Sequence, residues 1–190
     1  AGHVDISRVE EFTIEMNPED VTADLLSACR GMGINRISMG VQSFDDNMLR
    51  AINRRHDARR ALAAIELLGS QDWNYSTDLM FGLPGQTLND WQRDVDRLMD
   101  IKPPHMSAYL LSYEPGTRLY AMLQTGKVSE ASEELASEMQ LYVTESARAN
   151  SYLHYEISNY AQPGYRSRHN SSYWNMTPYL GLGASAHSYD

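Results

Sequence analysis

Residues 75–111, YSTDLMFGLPGQTLNDWQRDVDRLMDIKPPHMSAYLL, contain one complete strand–helix–strand unit. Tyr75 to Phe81 reads as a strand cut by the turn residues Gly82-Leu83-Pro84-Gly85. Thr87 with Asp90 forms a capping pair for a helix running to about Met99. Pro103-Pro104 breaks that helix off, and His105 to Leu111 is the next strand. Upstream, Val9 to Met16 alternates Phe12, Ile14 and Met16 with polar residues until Asn17-Pro18 stops it. Thr22 caps a helix with Leu25, Leu26, Cys29 and Met32 on one face, ended by Gly31 and Gly33. Arg36 to Val41 is a further strand. Ser43 with Asp46 reads as a capping box opening a short helix that ends near Asn53, and a helix over Ala58 to Leu68 stops at Gly69. Strands that begin near residues 10, 36, 75 and 105, each followed by helix, predict an α/β chain with a parallel sheet.

After Tyr113 the alternation stops. Glu114 to Thr117 is a turn, and an amphipathic helix is expected from about Ser132 to Asn150. A short strand over Tyr155 to Asn159 and an irregular tail rich in Gly, Tyr and His complete the reading. The expected division is a barrel-like part over residues 1–115 and an extension over 116–190.

Composition narrows the class. The 190 residues are 42% hydrophobic and 22% charged, which excludes a disordered chain and a coiled coil. No apolar run is long enough to span a membrane, and the first residues lack a signal-peptide pattern, so the expected compartment is the cytoplasm. A formal charge of −9 argues against a general nucleic-acid binder. The single cysteine, Cys29, excludes a disulfide or an all-cysteine metal site within this chain. Twelve Tyr and ten Met suit the walls of a cofactor site, although ordinary core filling explains them as well.

Parallel α/β sheets and barrels gather functional groups at the carboxyl ends of their strands. That rule selects Glu15 with Asn17, Gln42 with Ser43, Asp78 with the GLPG turn, and the group Ser112 to Glu114. Arg54 stands one short helix beyond Gln42. Two carboxylates, an amide and a guanidinium suit a ribose, an amino-acid carboxylate and a base edge. An Asp at a strand end also serves to cap a turn. Neither GxGxxG nor GxxxxGK occurs, which removes support for dinucleotide and P-loop readings. His169 lies in RSRHNSSYWN beside Tyr173 and Trp174. A neutral imidazole ligates iron and aromatic neighbours would cover a flat macrocycle; the alternative is that His169 and Asn170 merely fix the tail by hydrogen bonds. His187 is a second and weaker candidate.

The stretches EMNPE, NRISMGVQSFDD, Arg54-Arg55-His56, DLMFGLPGQT and YEISNYAQPGY…HNSSYWN…YLGLGASAHS follow in order over nearly the whole chain. Together they resemble the radical S-adenosylmethionine proteins related to oxygen-independent coproporphyrinogen III oxidase, and more narrowly the HemW-type heme-chaperone branch, whose HNxxYW signature HNSSYW matches. The resemblance implies a partial (β/α)6 barrel, of which this chain would supply the last four strands and a C-terminal extension. It implies that Glu15, Gln42, Arg54 and Asp78 contact S-adenosylmethionine: Glu15 at the ribose, Gln42 at the ribose or sulfonium, Arg54 at the methionyl carboxylate, Asp78 at the amino or ribose side. His169, with Tyr173 and Trp174, would contact heme.

The family's CxxxCxxC loop, which holds a 4Fe-4S cluster, and the GGGTP segment after it are not in this sequence. The simplest expectation is a sequence that begins after them; a truncated paralogue is the alternative. Alone, the chain would not hold the cluster and would not cleave S-adenosylmethionine. Three functions follow: a heme-binding protein that passes heme to an acceptor protein, an oxidase that decarboxylates the propionates of coproporphyrinogen III, or an inactive α/β fragment.

Overall fold

The computed structural model describes residues 8–181 and 187–189. The elements are β1 (Thr13–Met16), α1 (Ala23–Gly31), β2 (Arg36–Gln42), α2 (Asp46–Ala51), α3 (Ala58–Ser70), β3 (Asn74–Phe81), α4 (Leu88–Ile101) and β4 (His105–Leu110). Then come α5 (Arg118–Gln124), α6 (Glu133–Ala149), β5 (Leu153–His154), β6 (Asn159–Ala161) and α7 (Arg168–Asn175). They form one sheet of order β1-β2-β3-β4-β6-β5. The first four strands run parallel, and β6 then adds antiparallel to β4.

Strand parity separates the sheet's two faces. Ile37, Met39, Val41, Leu79, Phe81, Met106, Ala108 and Tyr160 point into the hydrophobic core, where Leu26, Leu68, Trp91, Leu98, Met139 and Val143 from the helices meet them. Trp91 is fully buried, and its indole N–H donates to Met139 O (2.8 Å), tying α4 to α6. Cys29 is buried among these apolar side chains, and burial pushes its thiol up. The opposite face carries Thr13, Glu15, Arg36, Ser38, Gly40, Asn74, Ser76, Asp78, His105, Ser107, Tyr109 and Asn159. A sheet with one apolar, helix-covered face and one polar face is what a partial barrel requires.

Three local expectations are corrected, and a fourth, the turn at 114–117, is borne out and extended. Ser43 does not cap α2: Asp45 does, accepting from Asn47 N (2.7 Å) and Met48 N (3.3 Å), while the Ser43 hydroxyl turns toward α4. The strand expected over Tyr155 to Asn159 is instead the pair β5 and β6, because pairing with β4 sets their position. The turn at 114–117 leads into α5, capped by Thr117 through Tyr120 N (3.2 Å). Residues 168–175 of the tail are helical, capped by the Ser167 hydroxyl at Asn170 N (3.1 Å). The other caps agree: Thr22 accepts from Leu25 N, and Thr87 and Asp90 form a reciprocal box.

Candidate functional site

The polar face is built in rows. Thr13, Arg36 and Asn74 are adjacent in register; Glu15, Ser38 and Ser76 form the next row; Gly40, Asp78 and Ser107 form the third. Hydroxyls link them: Ser76 Oγ donates to Ser38 Oγ (2.9 Å), and Ser38 Oγ donates to Asp78 Oδ2 (3.0 Å). Ser107 Oγ is committed to Asn159 Oδ1 (2.7 Å), and Asp78 Oδ1 is sealed from solvent without a hydrogen-bond partner among the described residues. Burial pushes the Asp78 carboxyl up, and Glu15 adds to that, while the Ser38 hydroxyl and the charge of Arg36 pull it back.

Gln42 ends β2 after a register shift between Gly40 and Gln42, and its backbone is left-handed at φ 70°. A non-glycine residue in that region costs about 1 kcal/mol or more and persists only where its surroundings hold it. The holding groups are visible. His56 is buried, with Nε2 3.0 Å from Val41 O and Nδ1 3.2 Å from Glu19 Oε2. Val41 O accepts from Ser43 N (2.9 Å), and Asp94 binds Ser43 and Phe44 beyond it.

Arg54 follows α2 and folds back toward the end of β1. Its Nη1 donates to Asn17 Oδ1 (2.9 Å) just past β1. Gly40 leaves room beneath: a Cβ there would stand 2.6 Å from Gln42 Nε2 and 3.6 Å from Arg54 Nη2. Gly40 in turn pairs with Asp78. Thus Gln42, Arg54 and Asp78 surround one glycine, and Glu15, on the neighbouring strand, lies within electrostatic reach of Asp78. Gln42, Arg54 and Asp78 group around Gly40, and Glu15 stands one row nearer the amino ends of the strands. Burial lowers the pKa of Arg54, while the Glu19 charge opposes that shift; Arg54 also borders an open cleft with Arg50, Arg55 and Arg59.

The aromatic helix α7 stands on the same side. Glu11, two residues before β1, accepts from Arg168 N (3.0 Å) and His169 N (3.0 Å) at its N-terminus. Arg168 pairs with Glu10, and Ser167 N donates to the Tyr155 hydroxyl (3.3 Å). His169 Nε2 and the Tyr173 hydroxyl share a hydrogen bond of 3.1 Å, and Tyr179 stacks edge-on against both rings. Tyr179 also bonds His187 Nδ1 (2.7 Å), so both histidine candidates belong to one cluster. Tyr173 and Trp174 are 52% and 56% exposed, and Met176 and Leu180 extend the open apolar surface. Burial of the hydroxyl and the neighbouring Tyr179 push the Tyr173 phenol up to about 12, with smaller contributions from Glu15 and Tyr109. The Glu15 charge therefore acts on both groups of candidates.

Fit can be judged for each group the resemblance implies. The Gly40 cradle, the orphaned Asp78 oxygen and the half-buried Arg54 fit the polar parts of S-adenosylmethionine. A 4Fe-4S cluster is not fitted: the one cysteine is buried in the core, and no cluster of metal-ligating side chains occurs among the described residues. Among those residues no helix is long and apolar enough to cross a membrane.

A half-barrel with a polar inner face and acid, amide and guanidinium groups at one end defines a class, and residues 3–98 match the radical SAM superfamily. The chain belongs to that family. Its relatives include a Bacillus subtilis protein named heme chaperone HemW, 38% identical over 184 residues, covering 96% of this chain and 48% of that protein. A bovine mitochondrial protein named radical S-adenosyl methionine domain-containing protein 1 is 39% identical over 178 residues, covering 93% of this chain and 40% of its own. The chain thus spans about half the length of the curated relatives it matches. Its fold is that of the Escherichia coli radical SAM enzyme coproporphyrinogen III oxidase (HemN): TM-score 0.76 at 23% identity, over 94% of this chain and 44% of that one.

Proposed function

We propose that this chain is the cofactor-cradling and cargo-binding portion of a heme-trafficking radical SAM protein. Residues 1–115 carry the adenosyl-cofactor cradle and 116–190 carry the heme-facing extension. Glu15 holds the ribose hydroxyls, Gln42 the ribose or sulfonium end, Arg54 the methionyl carboxylate and Asp78 the amino or ribose side. S-adenosylmethionine supplies one-electron chemistry where a reduced iron–sulfur cluster stands beside it; this chain's residues bind and orient it. Heme is the cargo, taken by His169 with Tyr173 and Trp174 beside it and delivered to an acceptor protein.

The observation that supports the cargo assignment is the position of HNSSYW. It forms a capped helix whose imidazole lies against two tyrosine rings on an otherwise open aromatic surface. Relatives at 35–38% identity over most of the chain are named heme chaperones. The test is a heme titration of the full-length protein read at the Soret band, wild type against His169→Ala. A shifted and weakened band in the variant supports the assignment; identical spectra remove His169 from it. Anaerobic conversion of coproporphyrinogen III to protoporphyrinogen by the same protein would assign it to the oxidases instead.

A further inference from the structure

The buried stripe of α4 is Trp91, Asp94, Val95, Leu98 and Met99, so a carboxylate occupies a core position. Asp94 is 3% exposed. Its Oδ2 accepts from Ser43 Oγ (2.6 Å) and its Oδ1 from Phe44 N (2.9 Å). Ser43 Oγ in turn accepts from Asp45 N (3.0 Å), and Asp45 caps α2. These bonds grip the turn directly after Gln42, whose left-handed backbone aims its side chain across Gly40 toward Arg54. They also grip the start of the short helix that leads to Arg54.

Burying a carboxylate costs several kcal/mol, and an apolar residue of similar volume is often neutral or stabilising there. Core packing does not call for an acid at this position. A left-handed turn with two donors directed at α4 does. We propose that Asp94 is the positioning residue of the adenosyl-cofactor cradle: from the outer helix it clamps the Ser43–Phe44 turn and thereby sets Gln42 and Arg54 in place. It touches no ligand and acts only through these residues. The inference rests on the S-adenosylmethionine reading above and adds to it a residue outside the polar face.

The experiment measures S-adenosylmethionine binding by the full-length protein using calorimetry, for wild type, Asp94→Asn, Ser43→Ala, Gln42→Ala and the Asp94→Asn/Gln42→Ala pair. Losing a charge-assisted bond predicts about tenfold weaker binding in Asp94→Asn, and about threefold weaker in Ser43→Ala, which leaves the Phe44 bond in place. Positioning further predicts coupling: Gln42→Ala weakens binding markedly in the wild type and by less than about twofold once Asp94 is Asn, whereas mere destabilisation leaves the two losses additive. If Asp94→Asn folds poorly, Ser43→Ala with Gln42→Ala provides the same cycle. Equal binding by wild type and Asp94→Asn, or strictly additive losses, overturns the role of Asp94. Absence of binding by the wild type overturns the adenosyl-cofactor reading itself, and this inference with it.

Discussion

Removal of the Glu11 carboxylate should release α7 from the sheet. Both oxygens of Glu11 are engaged at the helix start, with Arg168 N and His169 N each at 3.0 Å and the Ser167 hydroxyl at 3.4 Å. Bonds to a charged group contribute about 1.5–3 kcal/mol each when buried, and an anion at a helix N-terminus adds about 0.3–1 kcal/mol. Glu11 is only half-buried, so the lower end applies, and about 2 kcal/mol for the whole contact is reasonable. Since 1.4 kcal/mol is a factor of ten, Glu11→Ala should raise amide hydrogen exchange over residues 168–175 about 30-fold. Glu11→Gln keeps one acceptor and should raise it about fivefold. Exchange in β2, β3 and β4 should not change, because they are held by the core on the other face. Exchange followed by peptide-resolved mass spectrometry reads both regions in one run. Unchanged rates over α7 in Glu11→Ala would refute the claim that this carboxylate docks the helix.

Two further outcomes follow from the same geometry. Burial pushes the Asp94 carboxyl up from 3.8 to about 6, so the folded state binds a proton more tightly than the unfolded chain; the resulting stability is fully present below about pH 4 and lost as pH rises through 6. Wild type should therefore lose about 3 kcal/mol relative to Asp94→Asn between pH 4 and 7, measured by urea unfolding across pH, and a pH-independent difference would contradict it. Gly40→Ala should weaken S-adenosylmethionine binding while shifting thermal unfolding little, because the added methyl meets the flexible end of Gln42 rather than backbone; calorimetry and a melting curve, showing intact affinity or a collapsed melt, would contradict it.

Much of the fold was legible because its signals are local. Thr22, and Thr87 with Asp90, are caps that need only their next three residues, and both formed as read. The same rule failed at Ser43, whose partner Asp94 lies 51 residues away on another layer. A Ser followed three residues later by an Asp is a capping box only where its oxygen is placed to accept the N3 amide, and Ser43 Oγ accepts from Asp45 N instead. The strands of two and three residues, β5 and β6, were misplaced because their existence depends on pairing with β4 rather than on alternation. The helix α7 was missed because RHNSSYWN is polar and lacks an apolar stripe; Ser167 and the distant Glu11 stabilise its start.

The candidate site shows the same division. Glu15, Gln42 and Asp78 were reachable from the rule that strand ends carry function, and Arg54 only as the residue one short helix beyond Gln42. Asn17 and Ser43, named only as neighbours, proved to hold Arg54 and the turn. Glu11, Gly40 and Asp94 carried no sequence signal strong enough to single them out. Each acts through an approach between chain segments far apart in sequence or through space left empty.

The polar face itself argues for a ligand more strongly than any single residue on it. Among the described residues, Thr13 Oγ1, Arg36 Nε and Nη2, Asn74 Oδ1, Asp78 Oδ1 and His105 Nδ1 on this face are buried without a hydrogen-bond partner, against Thr77 Oγ1 on the core face and Gln86 Nε2 in the loop after β3. Folded proteins leave few such atoms, and each left unmade costs about 1–3 kcal/mol. Placing most of that cost on one side of one sheet runs against stability, while the other side is packed as a largely apolar core. The charges are ordered as well. Arg36 lies at the amino ends of the strands, and Asp78 and Glu15 lie toward the carboxyl ends. Burial, with Arg36 adding to it, drives His105 down to about 3 and keeps it neutral, and its Nε2 rests 2.7 Å from the Tyr155 hydroxyl. A positively charged sulfonium or amino group entering between Glu15 and Asp78 would therefore meet two carboxylates, one of them destabilised as an anion by burial and without an ion-pair partner among the described residues. Supplying that partner stabilises the ionised Asp78 and the bound cation together, which is how a face that weakens the free protein can strengthen its complex.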